Sequence, residues 1–286
     1  TPGDVVALRP LRDGVIADFD TAEVLLKHFI QRANEGSSMI RPRLAIGIPS
    51  GVTAVERRAV MDAALQAGAS EVFLIDEPIA AAIGAGLPVS EPTGSMIIDI
   101  GGGTTEVAIL SLNGSVISES VRIAGDELND AIVNYMKKVH NLVIGERTAE
   151  DIKIQVGSAY PTPDDNDVTM EVRGLHLLSG LPRTVTIKGP EVRESMSEPL
   201  SVIVEAVKRT LERTPPELAS DIIDRGIMLA GGGALLRGID TLIGQETGIV
   251  THIANDPLTS VVLGAGKVLE NFKQSERVFS GRSRNL

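Results

Sequence analysis

Met96-Ile97-Ile98-Asp99-Ile100-Gly101-Gly102-Gly103-Thr104-Thr105-Glu106-Val107-Ala108-Ile109-Leu110 decides how the rest of the chain is read. A short apolar run ends on an acid, turns through three glycines and resumes as a Thr/Val/Ile-rich run. That is the pattern of two strands joined by a tight glycine hairpin. Glycine permits φ > 0 and leaves no side chain to hold a bulky anion at a distance. The N–H groups of such a turn can point at phosphate oxygens, and Asp99 stands where it would hold a cation through water. A Walker loop would lead into a helix and carry Gly-Lys-Ser/Thr; this one leads into a strand and has no lysine.

A second glycine run follows much later, in Ala230-Gly231-Gly232-Gly233-Ala234-Leu235-Leu236. It reads as strand, glycine corner, helix, where amides and bare backbone can approach a phosphate or the face of a purine. Alone such a corner is common in α/β folds; its pairing with the first run is what points to a nucleotide. Upstream, Ile75-Asp76-Glu77-Pro78-Ile79-Ala80-Ala81-Ala82-Ile83-Gly84 puts two acids directly after a buried strand. They either cap the helix that Pro78 opens or face the carboxyl end of the sheet, where α/β ligands bind. Glu150 and Lys153 lie one turn apart on one helix face, as a solvated ion pair or as ligand contacts.

Bulk properties narrow the function. The 286 residues suffice for one large or two medium domains. No window approaches the ~18 consecutive apolar residues of a membrane span, so a soluble globular protein is expected. A net charge of −11 argues against a nucleic-acid partner. There is no cysteine, which excludes disulfides and fits a reducing compartment. With no Trp and 2% aromatics, the core must be built from Ile, Leu, Val, Ala and Met. The four histidines are scattered and no zinc-ligand or nucleophile-elbow spacing occurs, so covalent chemistry is not indicated. Phosphoryl transfer to water needs only positioning and charge neutralisation.

Strands and helices alternate, which predicts an α/β fold around a central sheet. Gly14 to Phe19 reads as extended, Thr21 to Ala33 as an amphipathic helix and Leu44 to Ile48 as a buried strand. Thr53 to Ala67 reads as a helix with a Thr53/Glu56 capping box, followed by the strand Glu71 to Ile75 and the helix Pro78 to Ala85. After the hairpin come helices at Asp126 to Val139 and Thr148 to Val156, then short strands at Val168 to Val172 and Thr184 to Ile187. Glu191 to Arg213 reads as mostly helical, Ile227 to Ala230 as a strand, Ala234 to Glu246 as a helix, and Asp256 to about Phe272 as the last helix. The polar, basic stretch 273–286 reads as a flexible tail.

These segments resemble the actin, Hsp70 and sugar-kinase ATPase superfamily, and within it the MreB family of bacterial actin-like cell-shape proteins. The Asp99 hairpin is similar to the superfamily's second phosphate loop and the Gly231 corner to its adenosine motif. Longer runs single out the MreB family: Ile48-Pro49-Ser50-Gly51-Val52-Thr53-Ala54-Val55-Glu56-Arg57-Arg58-Ala59, Ser111-Leu112-Asn113-Gly114 and Pro215-Pro216-Glu217-Leu218-Ala219-Ser220-Asp221-Ile222. The resemblance spans residues 1 to about 272. It implies an actin-like (ribonuclease H-like) ATPase fold, two lobes around a nucleotide cleft, with ATP and Mg²⁺ as cofactors. By the same resemblance, Glu77 and Thr104 set up the attacking water, Asp99 serves the metal, Gly101, Gly102, Gly103 and Thr104 hold the phosphates, and Glu150, Lys153, Gly231, Gly232 and Gly233 hold the nucleoside.

The expected division is 1–90 for the rest of a first large subdomain, joined by helix 256–272; 91–147 and 222–255 for a second; and 148–221 for a small inserted subdomain. The family's first phosphate loop, Asp-x-Gly-Thr-x-x-Thr, has no match before Asp99, and Thr1 is not an initiator Met, so the first lobe is expected to be entered partway. The resemblance also implies self-association into antiparallel double protofilaments through the helix face of Val55, which is otherwise a core position. Met39 and Ile40, in the loop 36–41, either meet the cytoplasmic membrane or tuck onto the domain. Cell-wall elongation machinery is the expected partner, and the inner face of the cell membrane the expected location. An Hsp70-like or sugar-kinase-like ATPase, or a fragment that binds no nucleotide, are the competing readings. Nucleotide-dependent sedimentation separates the first two from a filament protein, and ATP affinity tests the third.

Overall fold

In this computed structural model, residues 7–34, 41–161, 163, 167–272 and 278–284 are described. The chain opens with a small hairpin, β1 (Leu11–Arg12) and β2 (Val15–Ile16), and helix α1 (Phe19–Ala33). Then come β3 (Arg43–Ile48), α2 (Ala54–Gln66), β4 (Glu71–Asp76) and α3 (Glu77–Gly84). The second half starts with β5 (Ser95–Ile100), β6 (Thr105–Ser111), β7 (Gly114–Val121) and α4 (Gly125–Val139). A smaller part follows: β8 (Leu142–Val143), α5 (Glu146–Gln155), β9 (Thr169–His176), β10 (Pro182–Lys188) and α6 (Gly189–Ser195). The chain returns through α7 (Ser197–Glu212), α8 (Pro216–Arg225), β11 (Ile227–Ala230), a 3₁₀ turn (Gly232–Leu235), α9 (Ile239–Thr247) and β12 (Thr251–Ile253). It ends with α10 (Ser260–Glu270) and β13 (Phe279–Arg284).

Two sheets frame the molecule. One runs β12-β11-β5-β6-β7 and the other β13-β4-β3, with a third, β10-β9-β8, in the smaller part. Residues along β5 alternate between two cores, as a strand requires. Ile98 and Ile100 join Val107, Ile109, Leu128, Ile132 and Met136 beneath α4 and α7. Ile97 joins Ala108, Leu110, Ile79, Ala81 and Val268 on the opposite face, against α3 and α10. With both faces covered, every residue of β5 is buried, which explains its unbroken apolar run. Each such isoleucine contributes roughly 1.5–3 kcal/mol by leaving water.

Between the two sheets, α3 and α10 cross with backbone on backbone. A Cβ on Gly84 would lie 1.8 Å from the Ser260 carbonyl oxygen, and one on Gly264 would lie 1.8 Å from that of Ala80. Only glycine permits the crossing at this distance.

Local signals account for most boundaries. Asp18 caps α1 by accepting from the Thr21 N–H at 3.1 Å, so that helix begins two residues earlier than its periodicity suggests. The capping box of α2 forms, with Thr53 N–H donating to Glu56 at 2.7 Å. Val55 is 79% exposed, so it is not a core position. Three expectations need correction. The second glycine run leads into one 3₁₀ turn, not directly into a helix; α9 starts only after Gly238, at φ +74°. The last helix starts at Ser260, because Asp256–Thr259 forms a turn in which the Thr259 N–H donates to the Asp256 carbonyl at 3.3 Å. The stretch read as a flexible tail contains β13, antiparallel to β4. Arg282 donates to the buried Glu71 carboxylate at 2.8 Å, and Phe279 packs against Phe73 at 4.9 Å. Nonlocal partners fix this strand, so its own polar composition gave no sign of it. Met39 and Ile40 lie outside the described residues.

Candidate functional site

The register of the larger sheet brings the two glycine runs together. β5 pairs with β6 antiparallel, Asp99 opposite Glu106 and Ile100 opposite Thr105, and Gly101 N–H closes the turn on the Thr104 carbonyl at 2.9 Å. β11 lies parallel to β5 on its other side, with Ala230 opposite Asp99. Both runs therefore leave the sheet at the same end, as neighbours. A Cβ on Gly231 would lie 2.3 Å from the Ile100 carbonyl oxygen, and one on Gly233 would lie 2.2 Å from Ile100 Cγ2.

A cavity of about 410 Å³ opens beside these corners. Gly101, Gly102, Glu150, Lys153, Gly232 and Gly233 line it, together with Gly125, Asp126, Ile154, Leu235, Arg237 and Leu258. The first amides of α4 sit on the hairpin: Gly125 N–H donates to the Gly101 carbonyl at 3.1 Å and Asp126 N–H to that of Gly102 at 2.8 Å. Lys153 reaches over from α5 and donates to the Gly125 carbonyl at 2.9 Å; burial lowers its pKa. Arg237 donates to the carbonyls of Val156 at 2.8 Å and Gly157 at 3.0 Å. It thereby caps α5 and fixes that helix against the second corner. Leu258 is 67% exposed, and Ile154 and Leu235 are also exposed: three aliphatic side chains in the lining of the cavity. A smaller cavity, about 290 Å³, opens around Leu200, Lys208 and Leu242, and neither glycine run reaches it.

Gly103 and Gly231, within the two corners, do not line this cavity; nor do Asp99, Glu77 and Thr104, which stand behind and beyond the first corner. Asp99 is 6% exposed, and burial, then the Glu106 charge, push its carboxyl up to about 7. Glu77, the first residue of α3, lies over Gly47 at the end of β3, where a Cβ would be 3.2 Å from Glu77 Cγ. Burial, then Asp99 and Glu106, push its carboxyl up to about 8. Thr104 is buried beneath the β1–β2 turn: a Cβ on Gly14 would lie 3.3 Å from Thr104 Cγ2, and one on Gly103 would lie 2.9 Å from the Asp13 backbone. One physical expectation fails here. None of Gly101, Gly102 and Gly103 adopts positive φ; the hairpin needs glycine for close approach alone.

The donor set fits a magnesium nucleotide of a particular kind. Among the described residues no three His, Cys, Asp or Glu side chains converge to grasp a metal directly. Yet Asp99, Glu77 and Glu106 all have raised pKa values from burial near one another, a concentration of acid that favours a cation. Magnesium would be held through water and phosphate oxygens, with Asp99 behind it.

A model of the MreB/Mbl protein family matches residues 1–277. The chain belongs to the MreB/Mbl family. The cell shape-determining protein MreB of Escherichia coli (strain K12) is 56% identical over 271 residues, 94% of this chain and 78% of that relative. The cell shape-determining protein Mbl of Bacillus subtilis (strain 168) is 47% identical over 271 residues, 95% of this chain and 81% of that relative. Among solved structures, MreB5 of Spiroplasma citri bound to ADP superposes with a TM-score of 0.90 at 39% identity, covering 98% of this chain and 83% of that one. The MamK double helical filament gives 0.75 at 22% identity, over 91% and 80%, a likeness of fold. The fold is thus the actin-like α/β ATPase fold.

Sequence reading missed several cavity residues. Gly125-Asp126 follows a strand and opens a helix, the same signal that marked Gly231, and would have found that lining. Ile154, Leu235 and Leu258 carry no such signal, since isolated aliphatics are ordinary anywhere.

Proposed function

We propose that this chain is an actin-like ATPase that polymerises into membrane-associated filaments and directs rod-shape cell-wall synthesis. One observation carries the reading: two distant glycine corners meet, across neighbouring strands, at a single cavity, with the buried carboxylate of Asp99 behind the first of them. Family membership supports it, and relatives named as cell shape-determining, together with the MreB5 structures bound to ADP and to AMPPNP, agree with it.

Gly101, Gly102 and Gly103 hold the phosphates, and Gly231, Gly232 and Gly233 with Glu150 and Lys153 hold the nucleoside, whose base rests on Ile154, Leu235 and Leu258. Bound magnesium supplies charge neutralisation at the phosphates. Glu77 and Thr104 orient the attacking water; burial raises the Glu77 pKa, which makes its carboxylate, once ionised, a stronger base than an ordinary one. Residues 1–90 with 256–272, 91–147 with 222–255, and 148–221 act as three bodies around the cleft. Val55, outward on α2, pairs antiparallel protofilaments; an exposed aliphatic at such a place contributes little to a monomer. Met39 and Ile40 meet the inner face of the membrane, where the filament guides the elongation machinery.

Sedimentation with and without ATP, paired with phosphate release, tests this reading. A pellet that grows with ATP and releases phosphate is the expected result. ATP turnover in a chain that stays in the supernatant at every concentration would reject the filament; no ATP binding at all would reject the site.

A further inference from the structure

Beyond adding to the acid around Asp99 and Glu77, Glu106 has no part in the mechanism above, and it does not line the cavity. It sits inside β6 among Val107, Ala108, Ile109 and Leu110 and is 1% exposed. A carboxylate so placed must be hydrogen bonded or paired. Its partners come from both sheets. Ser120 of β7 donates its hydroxyl to Oε1. Ser50, in the loop after β3 of the other sheet, donates its N–H to Oε2 at 3.1 Å and its hydroxyl to the same oxygen.

The surrounding contacts follow the same route. A Cβ on Gly51 would lie 3.2 Å from Ser120 Cβ, so the loop rests directly on β7. Arg122, just past β7, reaches Glu56 on the first turn of α2 at 3.9 Å. Arg57, on that same turn, reaches Asp76 at 3.5 Å, and Asp76 precedes Glu77. β3 and β4 are parallel, with Ile48 opposite Asp76, so the Ser50 loop and Glu77 leave the smaller sheet side by side.

We propose that Glu106 is a positioning residue, a latch whose carboxylate ties the Ser50 loop to β7 and thereby sets how far Glu77 stands from the Gly101–Thr104 hairpin. The catalytic half of this inference rests on the ATPase reading; the mechanical half does not. Since α2 follows the latched loop and carries Val55, the same contact links the phosphate end of the cleft to an exposed helix face.

The chain has no cysteine, so spin labels on Arg58→Cys and Val116→Cys report the separation of α2 and β7 without background. Three variants carry the test. Glu106→Ala cuts every latch bond, Ser50→Ala/Ser120→Ala removes both hydroxyls without touching the buried position, and Glu106→Gln keeps an acceptor for Ser50. In the full chain, we expect the label–label distance distribution to broaden at least twofold in the first two and to stay narrow in Glu106→Gln. We expect ATP kcat to fall at least fivefold in the first two with KM within twofold, and Glu106→Gln to recover most of the loss. Should Glu106→Ala lose its cooperative melt, the double-serine variant decides. Distributions unchanged in both would overturn the latch, as would a KM that rises in step with the fall in kcat/KM. A parent chain that does not turn over ATP would sink the ATPase reading, while the label distances would still judge the mechanical half.

Discussion

The chain uses Gly-Gly-Gly twice, and the two runs need glycine for different reasons. At Gly231–Gly233 the demand comes from the protein: Gly231 has φ +80° and, with Gly233, lies against Ile100, where any Cβ would collide. At Gly101–Gly103 part of the demand has no protein cause. A Cβ on Gly102 would find nothing nearer than the Asp126 carboxylate, at 3.9 Å, and would project beside the open cavity. On the proposed function, that open space beside the cavity is where a phosphate would come close, so the comparison separates glycine that the fold demands from glycine that it does not.

Substitutions can break it. The largest effect is expected for Gly231→Ala. A backbone at φ 80°, ψ 168° is open essentially to glycine alone and costs another residue about 1–3 kcal/mol. Overpacking against Ile100 adds about 1–3 kcal/mol. Denaturant midpoints should show the loss, and a variant as stable as the parent would mean the corners are not in contact. Next comes Glu77→Ala, behind the first corner: phosphate release should slow at least tenfold, about 1.4 kcal/mol in barrier, with ATP affinity preserved. Unchanged turnover would remove Glu77 from the reaction. Gly102→Ala should leave stability within about 0.5 kcal/mol. Its ATP affinity should fall about tenfold, or roughly 1.4 kcal/mol, in a titration. Should Gly102→Ala destabilise as much as Gly231→Ala, the distinction between the runs disappears.

A separate prediction concerns pH. Asp99 and Glu77 have folded pKa values of about 7 and about 8, above their ordinary 3.8 and 4.5. Between those limits the folded chain keeps protons that the unfolded chain has released, so stability falls as pH rises. Melting of the nucleotide-free chain should therefore drop from about pH 5 to about pH 8, and Asp99→Asn should flatten the slope. A melting temperature that rises over this interval would show that these acids are not buried near one another.

How much of this was legible beforehand follows the range of the interactions. The Asp99 hairpin was readable because strand, acid and turn are adjacent in sequence. The capping box at Thr53 was readable for the same reason, whereas the outward phase of Val55 was only implied by the family resemblance and was settled by its exposure. β13 was not, since its pairing partner Glu71 is far away in the chain and its own residues are polar. The 3₁₀ turn at Gly232 was hidden because nothing local distinguishes one tight turn from the start of a helix; only Gly238, a breaker inside the expected helix, gave notice. Glu106 drew no reading of its own in the sequence, because its partner Ser50 stands 56 residues away and meets it only in the folded chain.

The crossing of α3 and α10 has a mechanical consequence. Where helices meet through interdigitated side chains, ridges resist turning and the pair can only shear by a notch. At Gly84 and Gly264 two main chains touch almost bare, so there are no teeth to disengage. Any side chain at either position would force the two helices apart, so the separation of α3 and α10 is set by two residues that carry none.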